Sequence, residues 1–177
     1  MKVLVAVTGA SGIVYGIRLI EELRAKGHEV YTVHSEGAVE VAKHEGAELP
    51  EADFPEKDLA APPASGSHPF DAMVVAPCSL RSLGEIANGI GSTLPTRAAE
   101  VMLKERRKLI LVVRETPLSL IAIENMRKVT LAGGIMLPAC PGFYSKAEKV
   151  GDLVDFVVGK ALDQLGVEHQ LFRRWKS

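Results

Sequence analysis

The first apolar block of the chain, Val3-Leu4-Val5-Ala6-Val7, contains no polar position. A run of this kind, rich in β-branched residues, predicts a strand covered on both faces, as in a parallel sheet. Gly9-Ala10-Ser11-Gly12 interrupts it and the period then changes. Ile17, Ile20 and Leu23 recur at helical spacing, which predicts a helix over 13–26 stopped by Gly27. A second strand is predicted over 29–33 and a second helix over 37–45. Residues 46–69 hold Pro50, Pro55, Pro62, Pro63 and Pro69, with Ser65-Gly66-Ser67 among them, and read as a long loop with a short turn of helix. A third strand over 72–76 ends at Pro77, and helices follow over 80–87 and 96–106. A strand over 109–113 runs into Arg114-Glu115-Thr116-Pro117, and a helix is predicted over 118–129. The next strand, 134–137, stops at Pro138. The last helix, 150–165, carries Leu153, Val154, Val157, Val158, Ala161 and Leu165 in one stripe.

Strand and helix alternate throughout, which predicts a doubly wound α/β parallel sheet with right-handed crossovers and one domain over 1–177. Ligands of such sheets bind outside the carboxyl ends of the strands. Four polar clusters fall there: Thr8–Gly12, His34-Ser35, Pro77–Ser82 and Arg114–Pro117. Topology alone places them on one edge.

Composition narrows the classes. The 177 residues are 47% apolar with a net charge of −1, which suits a globular protein and argues against nucleic-acid binding. No apolar run reaches membrane-spanning length. Lys2 is followed at once by the first strand, so no leader is expected and the chain is expected in the cytoplasm. Cys78 and Cys140 each follow apolar residues and are expected as buried thiols. The histidines have no ligand spacing, and no metal site is expected.

The candidate chemistry lies at the strand ends. Gly9-Ala10-Ser11-Gly12 joins a strand to a helix, where backbone N–H groups suit a phosphate; a tight structural turn has the same composition. The motif lacks the dinucleotide fingerprint, and His34-Ser35 stands where an acidic ribose ligand would be. That points to a mononucleotide or another phosphate. Ser35 and Ser79 each suit either a ligand contact or an ordinary helix cap. Arg97 and Lys104, seven apart, share a helix face that could hold a phosphate or be plainly solvated. Glu115, beside Arg114 at a strand end, suits proton transfer or a surface ion pair. Lys160 lies at the edge of the last helix's stripe, where a snorkelling stem is the simpler role.

Several segments occur in order: Thr8–Gly12, Ala61–Ser67, Leu103–Arg107, Arg114–Ser119, Pro141-Gly142-Phe143-Tyr144 and Asp152–Phe156. Together they resemble the UbiX/Pad1 flavin prenyltransferases over nearly the whole chain. The resemblance implies a Rossmann-like or flavodoxin-like flavoprotein, assembled as a homododecamer with FMN between subunits. It implies transfer of a dimethylallyl group from dimethylallyl phosphate or diphosphate to N5 and C6 of reduced FMN without a metal. The prenylated FMN would serve a UbiD-type decarboxylase. It assigns Gly9, Ala10, Ser11, Ser35, Ser79, Leu80, Arg81, Ser82 and Arg114 to the flavin. Arg97, Lys104, Glu115, Tyr144, Lys160 and Trp175 would face the donor, and Glu115, Glu45, Arg97 and Lys104 would act in catalysis. The chain departs from the family pattern at Lys160, where arginine is usual; at Ser145-Lys146-Ala147, which lacks a proline; at Ser92-Thr93; and at Ala122. Phe172 and Trp175, in an arginine-flanked tail, are expected to pack on a neighbouring subunit. A cysteine-peptide decarboxylase and a non-catalytic flavin carrier are the competing classes: the first would need an active-site histidine, for which only His44 offers itself, and the second would not need the phosphate cluster.

Overall fold

The computed structural model describes residues 1–175. Five parallel strands form one sheet: β1 (Lys2–Val7), β2 (Glu29–His34), β3 (Ala72–Cys78), β4 (Lys108–Val113) and β5 (Ile135–Met136), in the order β2-β1-β3-β4-β5. The helices are α1 (Ile13–Ala25), α2 (Glu36–Glu45), α3 (Leu80–Ala87), α4 (Leu94–Lys104), α5 (Leu120–Leu131) and α6 (Val150–Leu165). Strand alternation divides the core into two layers. Val3, Val5 and Val7 of β1, with Ala72, Val74 and Ala76 of β3, face α1 and α6. Leu4, Ala6, Met73 and Val75 face the opposite layer, where Leu83 of α3, Ala98 and Met102 of α4 and Val129 of α5 pack. The predicted doubly wound parallel sheet is therefore the observed one.

Several expected boundaries move. Helix α4 starts at Leu94, because Thr93 and Thr96 form a reciprocal cap and Pro95 suits the first turn, which lacks intrahelical N–H partners. Helix α5 starts at Leu120, because the Ser119 hydroxyl accepts from Ala122 N–H. Strand β3 continues through Pro77 to Cys78. Strand β5 is only two residues long. The proline-rich loop contains the expected short turn of helix, Pro62–Ala64. Cys78 is buried as expected, and burial pushes its thiol up to about 12. Cys140 is exposed, against expectation, because it lies beyond the end of β5 and not within a strand.

Phe172, expected to pack on a neighbouring subunit, also has a partner within its own chain. Its ring lies 4.7 Å from that of Phe156 in the same chain. Trp175 is exposed, its ring edge-on to that of Tyr144 with 5.2 Å between ring centres. The last two residues of the tail, Lys176 and Ser177, lie outside the described residues.

Candidate functional site

The end of β1 is stitched to the end of β3 by Thr8. Its buried hydroxyl donates to Pro77 O at 2.9 Å and accepts from Ser79 N–H at 2.9 Å. This is the point where strand order reverses, and a cleft of about 610 Å³ opens there. All four predicted strand-end clusters reach it. Gly9, Ala10 and Ser11 come from the loop after β1, and Ser35 and Gly37 from the start of α2. Ser79, Leu80, Arg81 and Ser82 come from the start of α3, and Arg114 and Glu115 from the end of β4. The volume lies within the range of small-molecule sites, and the N-termini of two helices open onto it, which favours an anionic ligand.

The serines here cap helices. Ser35 Oγ accepts from Ala38 N–H at 3.0 Å and Ser79 Oγ from Ser82 N–H at 3.2 Å, with Ser79 and Ser82 hydroxyls 3.1 Å apart. The same residues line the cleft, so the cap and the cleft wall are one structure. Arg114 Nε donates to Ser11 O at 3.0 Å, tying β4 to the loop after β1. Glu115 is exposed, and its carboxylate accepts from Thr116 N–H at 3.0 Å.

Glu45 sits behind this loop and not in the cleft wall. Its carboxylate accepts from Gly12 N–H at 2.7 Å and Ile13 N–H at 3.0 Å, at the N-terminus of α1. Gly12 turns the chain there with φ of 98°, a left-handed conformation that glycine tolerates. Partial burial pushes the Glu45 carboxyl up. Hydrogen bonds from the Ser11 hydroxyl and from Gly12 and Ile13 N–H, with the Arg114 charge, more than offset this and hold it below the ordinary range.

Thr93, one of the departures from the family pattern, also lines the cleft, as do Glu36, Val41, Glu56, Lys57 and Glu85, which carried no signal that singled them out in the sequence. Glu56 comes from the proline-rich loop, and its carboxylate accepts from Glu36 N–H at 2.6 Å at the start of α2. Lys57, beside it, pairs with Glu36. Spacing could not reveal these residues, because a loop's path is set by what it packs against.

The residues expected to face a donor fall in two places. Arg97 and Lys104 line a shallow recess with Ala64, Ser65, Gly66 and Ser67, so the expected shared helix face is real. There Arg97 pairs with Glu100 at 3.0 Å and Lys104 with Glu105. Lys160 lines a different pocket, of about 440 Å³, between β5 and α6 with Met136, Leu137 and Phe156. Tyr144 packs edge-on to Phe156 at 5.6 Å. Helices α4 and α6 pack on opposite faces of the sheet, so one copy of the chain does not unite Arg97 and Lys104 with Tyr144 and Lys160. Among the described residues no cluster of three His, Cys, Asp or Glu is placed to hold a metal. None of the described helices is long and apolar enough to cross a membrane.

A flavodoxin-like sheet whose switch point holds a helix-capped, serine-rich cleft defines a protein of the mononucleotide-binding α/β class. Comparison with known proteins is more specific. The family model described as Flavoprotein matches residues 1–162. Flavin prenyltransferase UbiX of Methanothermobacter thermautotrophicus is 47% identical over 98% of this chain and 94% of its own. The crystal structure of AnUbiX in complex with FMN and dimethylallyl pyrophosphate superposes with a TM-score of 0.94 at 42% identity, covering 99% of this chain and 97% of that one. A dodecameric FMN-dependent UbiX-like decarboxylase from Escherichia coli O157:H7 gives 0.94 at 41% identity, with complete coverage of both chains. The chain belongs to the UbiX flavin prenyltransferase family of flavoproteins.

Proposed function

We propose that the chain, acting as one domain over its whole length, transfers a dimethylallyl group from dimethylallyl phosphate or diphosphate to N5 and C6 of reduced FMN. The product is a prenylated FMN for a UbiD-type decarboxylase. The observation that carries this reading is the cleft at the switch point, lined by every residue that the family resemblance assigns to the flavin. Helix N-termini, with Arg81 and Arg114 in the cleft wall, suit a flavin bearing one phosphate.

Reduced FMN supplies the electron-rich N5 and C6. The donor supplies the carbon electrophile as its C–O bond breaks and the electron pair leaves with the phosphate. The chain must hold that phosphate, move protons and keep water from an allylic cation. One proton leaves N5 as the first bond forms and is taken by the departing phosphate or a carboxylate. A second is delivered to the alkene and returned from C6 as the ring closes. Glu115 stands at the cleft edge for these transfers. Glu45 reaches the same loop through Ser11. Arg97, Lys104, Tyr144 and Lys160 hold the leaving phosphate where other prenyl transfers use magnesium, with Trp175 covering the donor.

Because Arg97 and Lys104 lie on the face opposite Tyr144 and Lys160, the donor site is shared between copies of the chain. A homododecamer, as in the Escherichia coli relative, supplies the neighbours. That relative is described as a decarboxylase, which gives a second reading. Both are tested by anaerobic incubation with reduced FMN and each donor, followed by flavin mass spectrometry. A flavin heavier by one C5H8 unit is expected. Unmodified FMN with either donor overturns prenyl transfer, and carbon dioxide release from an acid substrate without any donor supports decarboxylation.

A further inference from the structure

We propose that Asp163 is a positioning residue that latches the C-terminal tail along α6 and thereby sets Tyr144, Lys160 and Trp175 in one corner. The proposal rests on the reading of those three as donor-facing residues. Asp163 lies in the last turn of α6, after which Gly166 ends the helix in a left-handed conformation. The chain then doubles back. Arg174 returns as a fork on the Asp163 carboxylate, with Nη2–Oδ1 at 2.8 Å and Nη1–Oδ2 at 3.2 Å. His169, with its side chain fully buried, meets Oδ1 at 3.1 Å through Nε2. The Nδ1 of His169 accepts from Leu171 N–H at 3.2 Å, which leaves the proton on Nε2 to point at Asp163. Lys160 Nζ approaches Oδ2 to 3.5 Å. One carboxylate thus gathers three donors from the helix and from the tail that follows it.

The tail lies close because α6 leaves room for it. A Cβ at Gly159 would stand 2.5 Å from Phe172 and 2.6 Å from His169, so this position admits only hydrogen as a side chain while the tail is down. The slot seats Phe172 against Phe156. Phe156 in turn carries Tyr144, and Tyr144 meets Trp175. Lys160 lies on the same stretch of α6. Bidentate charge-assisted bonds fix orientation as well as distance, so the fork from Arg174 is what holds the tail in register with that aromatic row.

Three variants test the latch. Asp163→Ala removes every bond, Asp163→Asn keeps an acceptor for His169 but loses the charge, and Arg174→Met breaks the fork from the other side. Trp175 is the chain's one tryptophan, so its fluorescence anisotropy reports the tail directly. Expected are a lower anisotropy, a rise of roughly tenfold in the donor KM, and unchanged FMN affinity and kcat. Asp163→Ala combined with Arg174→Met should be no worse than Asp163→Ala alone, which already removes the fork. Unchanged anisotropy and donor KM in all three variants would overturn the proposal. A looser tail with an unchanged donor KM would overturn the positioning role. Wild-type protein that forms no prenylated flavin would instead overturn the functional reading, while anisotropy still decides the latch.

Discussion

Two glutamates border the same loop with different partners, and the difference sorts their roles. Glu115 is exposed at the cleft edge with one backbone donor. Glu45 spends both oxygens on N–H groups of α1 and is held ionised by them. Glu115 is thus the freer of the two to exchange a proton. Glu115→Gln should retain FMN and slow prenylation on the order of 10²-fold, the usual loss for an acid/base group, as read in single-turnover anaerobic assays. A wild-type rate would remove Glu115 from the mechanism. Lys160 is decided by the same kind of comparison. Its stem lines the pocket beside Met136 and Phe156, so Lys160→Met preserves packing. Loss of a charge-assisted bond to phosphate should lower donor kcat/KM by roughly ten- to a hundred-fold with FMN affinity unchanged. An unaltered kcat/KM would leave only the snorkelling stem.

Among the elements, α1 illustrates how a cap can come from another helix. No side chain of its own N-cap residue closes it, and Glu45 at the end of α2 does so across the fold. A carboxyl held below its ordinary range in the folded state contributes stability above its unfolded pKa and loses it as pH falls through the folded value. Glu45→Ala should therefore cost a cap's worth of stability at neutral pH, about 0.5–2 kcal/mol, and lower the melting temperature. The difference from wild type should shrink in acid below the ordinary glutamate range. Calorimetry across pH checks this, and a gap that stayed constant in acid would contradict it. No local pattern marks this partnership: Glu45 and Gly12 are brought together only because α1 and α2 follow adjacent strands. The long apolar runs of β1 and β4, by contrast, were legible at once, because burial on both faces demands that pattern. Strand β5 shrank from the expected 134–137 to two residues because it pairs only with Ile110 and Leu111 of β4.

The whole molecule leaves an apolar surface that a lone copy would expose to water. On α5, Leu120 and Ile121 are 72% and 75% exposed, and Leu131 is 73% exposed. Patches of this kind mark contacts between proteins, in keeping with the proposed assembly and its proposed shared donor site. Sharing makes a direct prediction. Arg97→Met and Lys160→Met proteins, each impaired alone, should regain activity when unfolded together and refolded as mixed oligomers, since some shared sites then draw both intact residues. Activity no higher than the mean of the two parents would place the donor site within one copy. Leu120→Glu with Ile121→Glu should dissociate the assembly in light scattering and abolish prenyl transfer.

The sequence by itself determined the alternation of strands and helices, the buried β1, β3 and β4, and the four polar clusters at strand ends. These follow from local periodicity and from glycine, proline and serine at the breaks, which act over a few residues. Family resemblance named the chemistry, which spacing could not. Only the tertiary structure decided that the clusters meet in one cleft, that Glu56 and Lys57 join them from a loop, and that Arg97 and Lys160 lie on opposite faces. It also turned the tail back onto α6. The physical reason is that these depend on strand order and on how layers pack over the sheet, contacts between residues far apart in the chain that leave no local pattern to read.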